Sequence, residues 1–117
     1  MEWQVFITDR AEKDLEIAYL NELQFYGPER ASAWQQAISE QILGLADFPG
    51  PLAWAIDDDE SERRQREVRR FLFRRSGKHQ FRPGYYIYYT TVNSASENEP
   101  GMVAILRVRH AAQNDDP

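Results

Sequence analysis

An apolar segment near the end of the sequence leads directly into two arginines and a histidine. The segment begins at Val103, and the cationic residues are Arg107, Arg109 and His110. Successive side chains of a β-strand point to opposite faces of a sheet, so the two arginines are predicted on the face of Val103, with His110 on the other. Such a strand packs against a core at one end and can bind an anion at the other. The alternative is a solvent-exposed strand end with ordinary surface charges.

Metal-free cleavage of RNA is one reaction that these residue types could support. Attack by the 2′-hydroxyl needs a base near that hydroxyl, an acid for the leaving 5′-oxygen and cations around the phosphate. Either Glu67 or His110 could act as base or acid, but His110 fits a buried structural role equally well. The candidate catalytic residues are Glu67, Arg69, Arg109 and His110. The candidate binding residues are Arg69, Arg82, Arg107 and Arg109.

Charge is divided unevenly along the chain, whose formal net charge is −5. Residues 1–62 contain 3 basic and 14 acidic side chains, whereas residues 63–117 contain 11 basic and 5 acidic ones. This asymmetry predicts a basic functional face on an acidic body, the pattern expected of a protein that binds an acidic partner or a nucleic acid. The alternative is a solvated charged loop together with an edge strand protected by arginines.

Alternating and helical apolar patterns predict the elements that position these residues. Residues 3–7 alternate between apolar and polar side chains, which indicates a short first strand. Asp9 and Glu12 form a capping-box pattern at the start of a helix, and Gly27-Pro28 ends that helix and begins another. The first helix has an apolar stripe of Leu15, Ala18, Tyr19, Leu23 and Tyr26, and the second has one of Ala31, Trp34, Ile38, Ile42 and Leu45.

Three further strands are predicted in the second half of the chain. They cover residues 68–74, residues 80–92 with a kink at Pro83-Gly84, and residues 102–110. The order β-α-α-β-β-β predicts an α+β fold in which a helical hairpin packs on one face of a twisted, mainly antiparallel sheet. The length of 117 residues suits a single domain, 1–117.

Composition excludes several classes of protein. The chain has no cysteine, so it has neither a disulfide nor a thiolate metal site. The acidic run 57–62 lacks the spaced ligands of a calcium loop, and neither a metal nor a cofactor is expected. No apolar run approaches the roughly 18 residues of a membrane helix, and the first residues do not resemble a signal peptide. We therefore expect a cytoplasmic protein that does not bind membranes.

The order and spacing of these segments resemble the RelE/ParE superfamily of bacterial toxins over nearly the whole chain. The resemblance is to the ParE-like, plasmid stabilisation branch. It is carried by the strand end Thr8-Asp9, the helix opening 11–17, Trp34 and Ile38, the strand segments 68–72 and 85–89, and the terminal segment 106–113. It implies the toxin of a type II toxin–antitoxin system, which a cognate antitoxin neutralises in a hetero-oligomer.

Two targets are known within that superfamily, and the resemblance leaves both open. RelE-like members are ribosome-dependent mRNA endonucleases (mRNA interferases), and here Arg109 and His110 occupy the family's terminal basic position. No tyrosine follows the histidine, however, and the chain has only two lysines, Lys13 and Lys78. ParE-like members poison DNA gyrase and end in a similar Arg-x-x-His motif, so the resemblance implies gyrase inhibition without bond cleavage. A decayed toxin that only binds its antitoxin is the third interpretation.

Overall fold

Strands and helices follow one another in the order β1-α1-α2-β2-β3-β4-β5 in the computed structural model of the chain. The structure describes residues 3–47, 55–56, 67–73, 84–92 and 101–111. The helices are α1 (Asp9–Tyr26) and α2 (Pro28–Gly44). The strands are β1 (Gln4–Ile7), β2 (Ala55–Ile56), β3 (Arg69–Phe73), β4 (Tyr85–Val92) and β5 (Met102–His110). Among the described residues, neither helix is long and apolar enough to cross a membrane.

The predicted α+β class and the mainly antiparallel sheet are confirmed. The sheet has the strand order β1-β5-β4-β3-β2, in which β1 pairs with β5 in parallel and the other neighbours are antiparallel. The two-residue strand β2 was not predicted, because two residues are too short to show an alternating pattern. Residues 80–83, the predicted start of the strand ending at Val92, and the acidic run 57–62 lie outside the described residues.

The two helices form the predicted hairpin, and Gly27 is the residue that joins them. Its φ of 86° lies in the left-handed region that favours glycine. The Gly27 amide donates to the Leu23 carbonyl at the end of α1, and its carbonyl accepts from the Ala31 amide in the first turn of α2. Pro28 follows as the first residue of α2, where its missing N–H costs no helical hydrogen bond.

The start of α1 differs from the prediction, because Thr8 rather than Asp9 is the N-cap. The Thr8 hydroxyl oxygen accepts from the Ala11 amide at 3.3 Å, and Asp9 is already helical. The same hydroxyl donates to the Ile105 carbonyl at 2.7 Å. The capping-box prediction at Asp9 is therefore wrong by one residue. Thr8, which follows the end of β1, therefore caps α1 and also forms a hydrogen bond to β5.

The core lies between the helical hairpin and one face of the sheet. All five members of the predicted α2 stripe are buried, as are the sheet residues Phe71, Ile87, Tyr89, Val103 and Ile105. The α1 stripe is confirmed at Ala18, which is buried, but Leu15 and Tyr19 pack only at the margin of the core, and Ala11, which lies outside the predicted stripe, is fully buried. The small side chains of Ala11 and Ala18 face inward where α1 crosses β5, so the helix backbone can lie close to the sheet.

A β-bulge in β5 changes which residues face the core. Tyr89 of β4 pairs with Ile105, whereas the preceding Tyr88 pairs with Arg107, so Leu106 is one extra residue on β5. An extra residue of this kind shifts the alternation of side chains by one position. The core face therefore passes from Ile105 to Val108 rather than to Arg107.

This shift contradicts part of the prediction for the last strand. The two arginines do not continue the core face of Ile105, because Val108 takes that place. Arg109 pairs with Tyr86 on the sheet face that points away from the helices, since its neighbour Val108 points into the core. His110 shares the core face with Val108 and therefore also with Val103, whereas the sequence predicts it on the face opposite Val103.

Candidate functional site

The edge of β5 is covered by α1 beyond the point where β1 ends. The last pair between the two strands is Ile7 with Ile105, so later residues of β5 have no β1 neighbour. Asp14 of α1 takes the place of a neighbouring strand there, because its Oδ2 accepts a hydrogen bond from the Val108 amide at 3.0 Å. The same oxygen accepts from Arg107 Nε at 2.8 Å, and Arg10 Nε lies 3.6 Å from Asp14 Oδ1. One carboxylate therefore satisfies a sheet edge and holds Arg107 against the helix.

A pocket opens at this junction, which we call the edge pocket. Its cavity volume is about 220 Å³. The lining residues come from α1, the start of β4 and the end of β5: Arg10, Asp14, Ile17, Ala18, Asn21, Tyr85, Arg107, Val108 and His110. The pocket thus combines cationic and amide groups with an apolar wall. Within the described residues, no three metal-ligating side chains come together.

His110 lies on the helix-facing side of the sheet, in a stack of aromatic rings. Its ring meets that of Tyr85 edge to face, with centroids 5.0 Å apart, and Tyr85 in turn meets Trp34 of α2 at 5.2 Å. The Tyr85 hydroxyl donates to Oε1 of Glu22, a buried carboxylate on α1, at 3.4 Å. This stack fixes the orientation of the His110 side chain by packing.

Arg109 lies on the opposite sheet face, beside a second group of aromatic and cationic side chains. It pairs with Tyr86, and the Arg70 guanidinium lies 4.4 Å from the centre of the Tyr86 ring. This distance is within the range of a cation–π contact. The Tyr88 ring is 6.4 Å from that of Tyr86. On the outer face of β3, β4 and β5, arginines and tyrosines therefore lie side by side, and Tyr88 is buried there.

Glu67 and Arg69 form a local ion pair at the start of β3. Arg69 Nη2 and Nε lie 2.8 and 2.9 Å from Glu67 Oε1. Arg69 pairs across the sheet with Tyr89, whose pKa is raised to about 12. Burial is the main cause; the Arg69 guanidinium lowers this pKa and the Glu67 carboxylate raises it. The phenol is therefore protonated at neutral pH.

Comparison with known proteins identifies the family. A family model described as the ParE toxin of type II toxin-antitoxin system, parDE, matches residues 5–115. The chain belongs to the ParE toxin family. This result confirms the resemblance to ParE-like toxins that the order of the sequence segments indicates. No curated protein matches the sequence.

A solved structure supports the fold of this ParE-family chain. It belongs to the chromosomal ParDE TA system from P. aeruginosa and matches with a TM-score of 0.57 and 18% sequence identity. The match covers 94% of this chain and 97% of the other one. At this identity the likeness concerns the fold.

The structure separates most of the candidate catalytic residues of this ParE-family chain. His110 and Arg109 point to opposite faces of the sheet, since they pair with the adjacent residues Tyr85 and Tyr86. Arg69 pairs with Tyr89, four positions along β4 from the partner of His110, a distance of roughly 13 Å along the strand.

The candidate binding residues are also divided. Arg107 shares the edge pocket with His110, Arg109 lies on the outer face, and Arg69 pairs with Glu67. Arg82 lies outside the described residues. The three described binding candidates therefore lie at three separate places on the sheet rather than in one site.

Sequence reasoning missed the residues of α1 that complete the edge pocket. Asp14 and Asn21 stand at ordinary polar positions of an amphipathic helix, and their types carry no signal of a tertiary contact. The spacing of Arg10 and Asp14, four residues apart, indicates an ion pair on one helix face. It does not indicate that the same carboxylate reaches β5, which depends on how α1 crosses the sheet.

Proposed function

We propose that this ParE-family toxin arrests growth by binding and poisoning DNA gyrase, without cleaving a bond itself, and that a cognate antitoxin neutralises it. The observation that supports this proposal is the separation of the acid–base candidates. His110 is packed against Tyr85, while Glu67 is paired with Arg69 farther along the sheet. General acid–base catalysis needs both groups within hydrogen-bond reach of one substrate. The proposal places the toxin in the cytoplasm, where gyrase acts.

Target binding is assigned to the outer sheet face. Arg109 lies there beside Tyr86, with Arg70 over the same ring. Tyrosine and arginine are among the residue types most enriched at the energetically dominant positions of protein interfaces. Arg109 would supply charge-assisted hydrogen bonds to acidic groups of the target.

A ribosome-dependent mRNA endonuclease is the second candidate, favoured by one observation. Arg107 and His110 both line the edge pocket, so a cation and a titratable ring face the same space. In that function His110 would act as general acid or base, and its loss would lower the rate by about 100- to 10,000-fold.

Growth arrest after induction distinguishes the two candidates. We expect Arg109→Ala to relieve the arrest strongly and His110→Gln to relieve it only slightly, because glutamine keeps hydrogen-bonding capacity at a similar size. Arg30→Ala on the exposed surface of α2 is the matched control and should leave the arrest unchanged. Circular dichroism of each variant ensures that lost structure is not scored as lost function.

The molecular readouts are DNA breaks with inhibited supercoiling by purified gyrase, and cleavage of mRNA on ribosomes. Breaks that disappear in Arg109→Ala support gyrase poisoning. Arrest abolished by His110→Gln, with mRNA cleavage by the parent, would establish the endonuclease instead. A folded chain that binds its antitoxin yet causes no arrest would identify a decayed toxin.

A further inference from the structure

The edge pocket contains hydrogen-bond donors that the described part of the chain does not satisfy. Arg107 uses Nε for Asp14, and its two terminal nitrogens have no acceptor among the described residues. The side-chain amide of Asn21 has none there either. A guanidinium group held by one edge presents its remaining donors in a fixed plane, which suits a carboxylate.

The charge of the pocket favours an anion. Among the described lining residues, Asp14 is the one carboxylate, and it faces two guanidinium groups, those of Arg10 and Arg107. The Arg10 contact, at 3.6 Å, is long for a hydrogen bond, and 64% of that side chain is exposed. The charged lining residues therefore carry a net charge of +1 in a partly enclosed space, where fields are stronger than in bulk water.

The surroundings of the pocket point to a peptide rather than a free ion or a nucleic acid. Ile17 forms part of the lining and is 50% exposed, and Leu20, three residues farther along α1, is 53% exposed. Residues three apart are neighbours on a helix surface. An apolar strip beside a cationic pocket matches a segment that carries one acidic side chain and nearby apolar ones. The phosphate backbone of a nucleic acid would gain no favourable contact from the apolar side chains of Ile17 and Leu20.

We infer that the edge pocket accepts one Asp or Glu side chain of the antitoxin, with apolar residues of the same segment covering Ile17 and Leu20. This inference rests on the proposed function for the existence of an antitoxin. It adds where on the toxin, and by which chemistry, that partner is held. Arg107 and Asn21 donate to the incoming carboxylate, and Arg10 closes the pocket from solvent.

The test uses two substitutions that convert an exposed amide into the corresponding carboxylate. Asn21→Asp places a negative charge inside the edge pocket, and Gln35→Glu places the same charge on the exposed surface of α2, outside the pocket. The probe is the protein encoded by the small reading frame beside the toxin gene, titrated into the purified full chain by calorimetry. Like charges across an interface are strongly unfavourable, so we expect Asn21→Asp to weaken binding by about tenfold or more. Gln35→Glu should change it by less than about twofold.

A charge-reversal scan then identifies the partner residue. Each Asp and Glu of the probe is changed to Lys, and one of these changes should restore binding to the Asn21→Asp chain. Equal effects of Asn21→Asp and Gln35→Glu, or the absence of any restoring change, would overturn the inference while leaving the proposed function intact. If the wild-type chain does not bind the probe at all, neutralisation by that partner and this inference both fail.

Discussion

Two arginine–carboxylate pairs at different places on the sheet have the same shortest distance, 2.8 Å, but different surroundings. Asp14 and Arg107 are 93 residues apart in sequence, and their side chains are 11% and 24% exposed. Glu67 and Arg69 are two residues apart, and their side chains are 57% and 17% exposed, so the two pairs differ in the exposure of the carboxylate. The first pair joins a helix to the last strand, whereas the second lies within one segment.

The distance between the charged atoms of an ion pair therefore says little about how much that pair contributes to the stability of the fold. The Asp14 carboxylate also accepts from the Val108 amide, so its loss would leave a backbone donor unpaired at the sheet edge. Glu67 has mostly solvent around it, and water replaces much of what its partner offers. An arginine–carboxylate pair therefore maintains the fold at Asp14 and adjusts local electrostatics at Glu67.

The largest effect is expected from the aromatic stack that supports the Asp14–Arg107 region. Trp34 is 2% exposed and contacts Tyr85, which in turn contacts His110. Trp34→Ala should lower the free energy of unfolding by about 3–5 kcal/mol, because it leaves a large cavity between the hairpin and the sheet. Urea-induced unfolding followed by circular dichroism measures this loss. A loss well under about 1 kcal/mol would show that this end of the sheet does not depend on the stack.

Asp14→Ala is expected to have the second-largest effect. It removes the acceptor of both the Val108 amide and Arg107 Nε, and hydrogen bonds that involve a charged group contribute about 1.5–3 kcal/mol. We therefore expect unfolding to become easier by about 2–3 kcal/mol. Asp14→Asn, which keeps an acceptor oxygen but loses the charge, should cost less. Equal losses for the two variants would mean that the charge, and not the edge hydrogen bond, carries the effect.

Much of the framework on which this contrast rests was predictable from the sequence. The α2 stripe, including Trp34, follows a helical period that is strong enough to identify every buried position. The final strand was predicted as residues 102–110 and is observed as Met102–His110, because apolar alternation with a turn before it defines a strand well. The junction of the two helices at Gly27 was also predictable, since glycine before proline can end one helix and start another.

The details of the candidate site were not predictable in the same way. The bulge at Leu106 depends on how β4 and β5 pair, and a strict period of two places Arg107 on the core face. The contact of Asp14 with Arg107 spans most of the chain, so no local pattern reveals it. The small core residue Ala11 adds little to an apolar stripe and was not predicted, although together with Ala18 it determines how closely α1 approaches the sheet.

The charges of Glu67 and Arg69 should affect the pKa of Tyr89 more than they affect the free energy of unfolding at neutral pH. The pKa of Tyr89 is about 12 in the folded chain and about 10 in an unfolded one. Because the folded pKa is the higher, the stabilisation from the neutral phenol is fully present below about pH 10 and is lost as the pH rises through about 12. Unfolding midpoints across this range, compared with those of Tyr89→Phe, measure the contribution. Identical pH dependence of the two proteins would contradict it.

Glu67→Ala is expected to have the smallest effect on stability. The Glu67 side chain is 57% exposed, and exposed ion pairs contribute about 0.2–1 kcal/mol, so the unfolding free energy should change by no more than that amount. The bond from the Thr90 hydroxyl to Glu67 uses the backbone carbonyl and survives the substitution. Removing the carboxylate also removes one cause of the raised pKa of Tyr89, so tyrosinate should form at a lower pH than in the parent, as followed by ultraviolet absorbance. A stability loss as large as that of Asp14→Ala would contradict this contrast. The exposure of the carboxylate would then not distinguish a pair that joins distant segments from one whose residues are close in sequence.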